Sequence, residues 1–213
     1  MASADRLDLV VVRHGLTAWN REQRYQGQRD IPLLLPDALE GMDRLRDKLA
    51  GERFDAVYCS DLTRCRQTLA HVLDVDSTPA EPRLDARLRE LDFGAYEGKC
   101  YVELKDEPLY RAWIDTRGEQ PPPGGESTAN LRQRLDTWLA DLFRAAEAEG
   151  HRRILAVSHG GVIRELRRRF EAIDFWDGSV GQAQGRQLTF THQRGDWLCS
   201  SSSAVPVPAS VMS

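Results

Sequence analysis

Residues 7–12 form a short, nearly continuous apolar run rich in valine. Apolar residues on consecutive rather than alternate positions predict a strand buried on both faces, the pattern of a parallel sheet. Residues 56–59 and 154–157 predict two more such strands. Between them the period changes. Leu39, Met42, Leu45 and Leu49 recur at helical spacing, with Pro36 near the start and Gly51 at the end. Ser60 is placed to cap a helix running to about residue 73. Leu131, Leu135, Trp138, Leu139, Leu142 and Ala146 predict a strongly amphipathic helix closed by Gly150. Another helix follows Ser158-His159-Gly160-Gly161 through about residue 170, and residues 187–192 and 197–199 read as late strands.

Strands alternating with helices predict an α/β three-layer sandwich: a mostly parallel central sheet with helices on both faces. Residues 94–125 have weak periodicity but hold Tyr96, Tyr101, Tyr110 and Trp113, then Pro121-Pro122-Pro123-Gly124-Gly125. They read as a lid inserted over the sheet. Tyr110 and Trp113 fit either packing or substrate contact. Residues 200–213 are small, polar and proline-containing, which predicts a disordered tail. The expected organisation is one domain over residues 1–199, a lid at about 94–125 and a tail at 200–213, with no internal repeat.

A length of 213 residues suits one core. Lys plus Arg is 29 and Asp plus Glu is 33, a net charge of −4. Such a chain has no global attraction for nucleic acid or for an anionic membrane, so any anion site must be a local cluster of basic residues. Cys59, Cys65, Cys100 and Cys199 match neither a metal pair nor a disulfide framework and read as free thiols in a reducing cytoplasm. The N-terminal apolar run is too short for a signal peptide, so a cytoplasmic location is expected. His71, His151 and His192 read as structural, Trp19 and Trp138 as core. The run Arg164, Arg167, Arg168, Arg169 reads as a solvated helix face.

Ligands of open α/β sheets bind beyond the carboxyl ends of the strands. Three basic groups stand at such ends: Arg13-His14, Arg64 in the first turn after the second strand, and His159. Arginine matches phosphate oxygens with a planar fork. Helix N-termini after Ser60 and Ser158 add backbone donors, and Gly15, Gly160 and Gly161 permit close approach. A neutral imidazole is a competent nucleophile near neutral pH. Arg66 competes with Arg64, but two residues of helix turn it to the other side.

Five stretches in order carry a family resemblance: Arg13-His14-Gly15-Leu16-Thr17-Ala18-Trp19-Asn20, Gln26-Gly27-Gln28-Arg29-Asp30, the helix start Ser60 to Thr68, the segment Leu88 to Gly98, and Ser158-His159-Gly160-Gly161. Together they resemble the histidine phosphatase superfamily, which includes phosphoglycerate mutases, broad-specificity phosphatases and α-ribazole phosphatases. The resemblance implies that His14 attacks phosphorus. It implies that Arg13, Arg64 and His159 hold the phosphoryl oxygens, and that Glu90 gives a proton to the leaving oxygen. Gly15, Asn20, Gln26, Gly27 and Gly160 are then expected at the phosphate and the substrate entrance. Asp92 and Glu97 are neighbouring carboxylates that compete with Glu90. No metal and no cofactor is implied.

One departure stands out: Ile31-Pro32-Leu33 runs on into Leu34-Leu35-Pro36, where many members carry a Thr-x-x-Gly stretch. The acid segment and Pro123-Gly124-Gly125-Glu126-Ser127 look like the phosphatase branches. The expectation is a metal-independent phosphomonoester hydrolase acting on small phosphorylated metabolites. A phosphoglycerate mutase, an α-ribazole phosphatase and a non-catalytic phospho-ligand module are the alternatives. The expected partner is a small phosphorylated substrate. Neither nucleic acid nor membrane is expected, and a homodimer is the one assembly considered.

Overall fold

The computed structural model describes residues 6–74, 81–173 and 175–206. One sheet runs in the order β3-β2-β4-β1-β5-β6. Its parallel part is β1 (Arg6–Arg13), β2 (Ala56–Cys59), β3 (Arg83–Leu84) and β4 (Arg153–Ser158). β5 (Gly185–Gln193) and β6 (Asp196–Val205) add antiparallel beyond β1.

The valine-rich run of β1 is apolar on both faces because both faces are covered. Leu7, Leu9 and Val11 pack with Trp138 and Leu142 of α6 (Thr128–Glu149) and Ile163 of α7 (Gly160–Phe170). Val10 and Val12 pack with Met42 and Leu45 of α2 (Leu39–Leu49) and Leu69 of α3 (Thr63–Val72). Each such side chain contributes about 1.5–3 kcal/mol by leaving water. Period-2 alternation on the strands thus sorts the chain into three layers. α6 begins at Ser127, whose hydroxyl accepts from the Asn130 amide, and ends at Gly150 in the left-handed conformation, φ 72°.

Two local expectations are corrected. Ser60 does not cap α3. Leu62 occupies the N-cap position without a side-chain bond, and the Asp30 carboxylate does the capping from a distant loop, accepting from Thr63 N at 2.7 Å and Thr63 Oγ1 at 2.8 Å. The tail expected from residue 200 is instead strand as far as Val205. Small polar side chains give no hydrophobic period, but the backbone of β6 pairs with β5 from Gly185↔Val205 to Gln193↔Asp196. Ser202 Oγ and the Arg186 guanidinium both reach Glu171, at 2.5 and 2.9 Å. Residues 207–213 lie outside the described residues.

Residues 94–125 add no strand to the sheet. They carry a 3-10 turn at Gly94–Tyr96, then α4 (Tyr101–Leu104) and α5 (Pro108–Asp115). Tyr96, Leu104, Tyr110 and Trp113 form a separate small core with Tyr25 and Phe93. Tyr25 and Tyr110 share a hydroxyl–hydroxyl bond of 2.7 Å. No helix among the described residues is long and apolar enough to cross a membrane.

Candidate active site

β1 and β4 pair in register up to Arg13↔Ser158, and the His14 amide donates to the Ser158 carbonyl at 3.1 Å. Arg13-His14 and His159-Gly160 therefore leave the sheet side by side. α3, which follows the neighbouring β2, brings Arg64. A loop after the 3-10 turn Ala86–Leu88 brings Glu90. Arg13, His14, Arg64, Glu90, Gly160 and Gly161 line one cavity of about 400 Å³, whose other wall comes from the lid.

His14 is 2% exposed. Its Nδ1 lies 2.7 Å from the Gly15 carbonyl oxygen, which can only accept, so Nδ1 carries the proton and Nε2 keeps its lone pair. Burial, then the charges of Arg64 and Arg13, hold this imidazole well below its ordinary value. His159 stands edge-on to it, ring centroids 5.2 Å apart. It is fully buried, and its Nε2 pairs with Ser60 Oγ at 2.8 Å. Burial and the charges of Arg64, His14 and Arg13 lower it likewise.

Arg64 has no exposed surface. Its Nη1 and Nη2 donate to the Arg29 and Gly27 carbonyls at 2.8 and 2.7 Å, while its Nε has no partner. Arg13 donates Nη1 to the Val180 carbonyl at 2.9 Å, and its Nε is likewise without a partner. Desolvation lowers both guanidinium groups below their ordinary value. Two cationic N–H groups that no protein atom satisfies thus sit beside a neutral imidazole. Such buried donors are costly unless an anion completes them.

Glu90 faces them. Its oxygens accept from the amides of Leu91 and Gly161, each at 2.9 Å. Its competitors are spent elsewhere. The Asp92 carboxylate accepts from Gly94 N at 2.8 Å, and the Glu97 carboxylate accepts from Gln28 N at 2.8 Å. Glu165, the other acid on the cavity wall, is paired with Arg132 at 3.0 Å and Arg168 at 2.6 Å.

The family model described as "Histidine phosphatase superfamily (branch 1)" matches residues 9–201. The chain belongs to the histidine phosphatase superfamily. Its similar relatives include phosphoglycerate mutase-like protein 4 of Arabidopsis thaliana, 37% identical over 76% of this chain and 70% of that one. Adenosylcobalamin/α-ribazole phosphatase of Escherichia coli K12 is 32% identical over 73% of this chain and 74% of that one. Among solved structures, the α-ribazole phosphatase of Shigella flexneri superposes with a TM-score of 0.76 at 27% identity, covering 91% and 94% of the two chains.

Within this histidine phosphatase fold, most of the expected residues meet at the cavity, Asn20, Gln26 and Gly27 among them, while Gly15 and Arg164 depart from expectation. Gly15 lies behind His14, off the wall. A Cβ there would meet Met42 Sδ at 3.0 Å, and its amide donates to Thr68 Oγ1. Gly27 lines the cavity and also clamps Arg64. Its φ is +53°, and a Cβ would stand 2.0 Å from the Glu97 carboxylate. Gln26 lines the wall with its side-chain carbonyl 2.9 Å from Thr17 Oγ1, and Asn20 completes the capping box of α1 (Ala18–Arg21). Arg164 belongs to the cavity rather than to a solvated face. Its spacing could have revealed it: Gly160, Gly161, Arg164 and Glu165 share one face of α7 at i, i+4. The lid residue Arg117 had no signal in the sequence.

Proposed function

We propose that this protein is a metal-independent phosphomonoester hydrolase that works through a phosphohistidine on His14. The observation that carries the reading is the convergence of a neutral imidazole with a free Nε2, two guanidinium groups with unmatched Nε–H donors, and one carboxyl group held by backbone amides rather than by an ion pair. All of them line one cavity.

The Arg13 and Arg64 donors bind the phosphoryl oxygens and concentrate positive charge where negative charge develops. His159, held by Ser60 against His14, completes the polar surround. His14 Nε2 attacks phosphorus as the ester P–O bond breaks, and the leaving oxygen takes the proton of Glu90. Water then attacks the phosphohistidine. Glu90, now a carboxylate, takes a proton from that water, the N–P bond breaks, and inorganic phosphate departs. The amides of Leu91 and Gly161 hold Glu90 while leaving lone pairs on both oxygens for these transfers.

Transfer back to a second hydroxyl, the mutase reaction, uses the same first half. The phosphatases among the relatives, from Escherichia coli and Shigella flexneri, support hydrolysis, as does the acid segment Glu90-Leu91-Asp92-Phe93-Gly94. The purified protein should hydrolyse p-nitrophenyl phosphate over many turnovers, and its phosphoenzyme lifetime should be insensitive to an added alcohol acceptor. Absence of turnover, or a phosphoenzyme that decays only when an acceptor is present, would refute the reading.

A further inference from the structure

Glu97 follows the 3-10 turn Gly94–Tyr96 as its C-cap, and its side chain is 10% exposed. Gly27 and Phe93 line the cavity, and Glu97 lies behind them. Its Oε1 accepts from the Gln28 amide at 2.8 Å and from the Phe93 amide at 3.3 Å. Its Oε2 faces the largely exposed Arg29 guanidinium at 3.9 Å. The carboxylate reaches this station because residue 27 is glycine: a Cβ there would stand 2.0 Å from Oε1.

The amide that Glu97 holds sits between two carbonyls that serve one side chain. Gly27 and Arg29, on either side of Gln28, accept from Arg64 Nη2 and Nη1 at 2.7 and 2.8 Å. The next residue, Asp30, caps the helix that carries Arg64, through Thr63 N at 2.7 Å. Within the loop, the Arg29 amide donates to the Gln26 carbonyl at 3.0 Å and the Ile31 amide to the Arg29 carbonyl at 3.1 Å. Those bonds shape the turn but do not fix its place in the fold. Glu97 ties the loop to the segment that follows Glu90, by a bond to a carboxylate, roughly twice as strong as a neutral one. Gln28 Nε2 adds a neutral bond to the Glu90 carbonyl at 3.2 Å. A functional side chain must be held within roughly 0.5 Å of its productive place, which requires partners that are themselves fixed. Arg64 finds its partners in a loop, and Glu97 fixes the loop.

We infer that Glu97 is a positioning residue of the phosphate site: one carboxylate oxygen holds the Gly27–Arg29 loop, and the two carbonyls of that loop set the Arg64 guanidinium so that its Nε stays free for the phosphoryl group. This rests on the phosphatase reading and deepens it. Glu97 touches neither the phosphoryl group nor the leaving group. Glu90 is held separately, by the amides of Leu91 and Gly161, so the effect of Glu97 runs to the phosphate cation and not to the acid.

The test is a double-mutant cycle with Arg64, read by kcat/KM and, separately, by calorimetric binding of inorganic phosphate. Glu97→Ala should lower both by about tenfold, within the range for coupled neighbours. The kinetic loss should be the same factor for an alkyl phosphate and for p-nitrophenyl phosphate, unlike a loss at Glu90. Glu97→Asp keeps the charge but withdraws the oxygen by one methylene, and should move both readouts the same way. Glu97→Gln keeps an oxygen acceptor for both amides and should stay within about twofold of the wild type, since an exposed ion pair such as that with Arg29 is worth little. In Arg64→Ala, adding Glu97→Ala should cost nothing further. A tenfold loss repeated in the Arg64→Ala background, a larger loss for the alkyl ester, a Glu97→Gln as impaired as Glu97→Ala, or undiminished turnover and phosphate binding in Glu97→Ala and Glu97→Asp would each overturn the inference. If the wild-type protein turned over no ester, the phosphatase reading would fail, while the phosphate-binding cycle would still decide the role of Glu97.

Discussion

The Gly161 amide donates to Glu90 Oε2 at 2.9 Å, and a Cβ on Gly161 would stand 2.2 Å from Glu90 Oε1. The first turn of α7 therefore holds the candidate acid and has no room for a side chain.

Gly161→Ala should push Glu90 off its station while leaving the residue in place. A positioned acid contributes ~100- to 10,000-fold. The loss should be largest for an alkyl phosphate, whose alkoxide needs a proton, and smaller for p-nitrophenyl phosphate. Glu90→Gln should show the same ordering. Single-turnover phosphorylation rates separate this step from hydrolysis of the phosphoenzyme. Equal slowing of both esters would remove Glu90 from the role of leaving-group acid.

Arg64→Ala should cost far more activity than Arg66→Ala. Arg64 is fully buried at the cavity, whereas Arg66, two residues on, is exposed. Loss of a transition-state donor is worth about 3 kcal/mol, or on the order of a hundredfold in kcat. Comparable losses at the two positions, measured on folded variants, would contradict the placement of Arg64.

The contrast between Arg64 and Arg66 was legible from helical spacing alone, as were the buried run of β1 and the face of α6 that carries Trp138 and Leu142. These are local periodicities, imposed by 3.6 residues per turn or by alternation. What the sequence hid depends on partners far along the chain. The carbonyls that clamp Arg64 belong to Gly27 and Arg29, and the cap of α3 comes from Asp30 rather than Ser60. Ser201 to Ser203 pair with Thr189, Leu188 and Gln187 while Ser200 sits at a bulge, and their small polar side chains carry no hydrophobic pattern to mark them as strand.

Stability should fall as the solution is acidified below about pH 6.5, in part because of His14 and His159. Both imidazoles lie well below their ordinary 6.5 in the folded protein. Between that value and their folded values the unfolded chain binds more protons, so stability rises with pH through this window and is lost on descending it. Each ring can contribute up to about 1.4 kcal/mol per pH unit there. Urea midpoints for the wild-type protein and His14→Asn, compared between about pH 7.5 and about pH 5.5, should show a shallower acid loss in the variant. Identical slopes would contradict the burial of a neutral His14.

Activity should survive exhaustive chelation. On the proposed reading Arg13 and Arg64 carry the charge that a metal would bring to the phosphoryl group, and no cluster of three or more His, Cys, Asp or Glu suited to an ion occurs among the described residues. Dialysis against a strong chelator followed by assay checks this. Activity lost on chelation and restored by one divalent cation would contradict it.

On the proposed reading, turnover passes through a covalent bond between phosphorus and His14. Protein mixed with a phosphorus-labelled ester and quenched within one turnover should carry label that is stable in base and labile in acid, as a phosphoramidate is. Peptide mapping should place it on His14, and His14→Ala should fold but neither label nor turn over. Label on another residue, or brisk turnover by folded His14→Ala, would contradict the account.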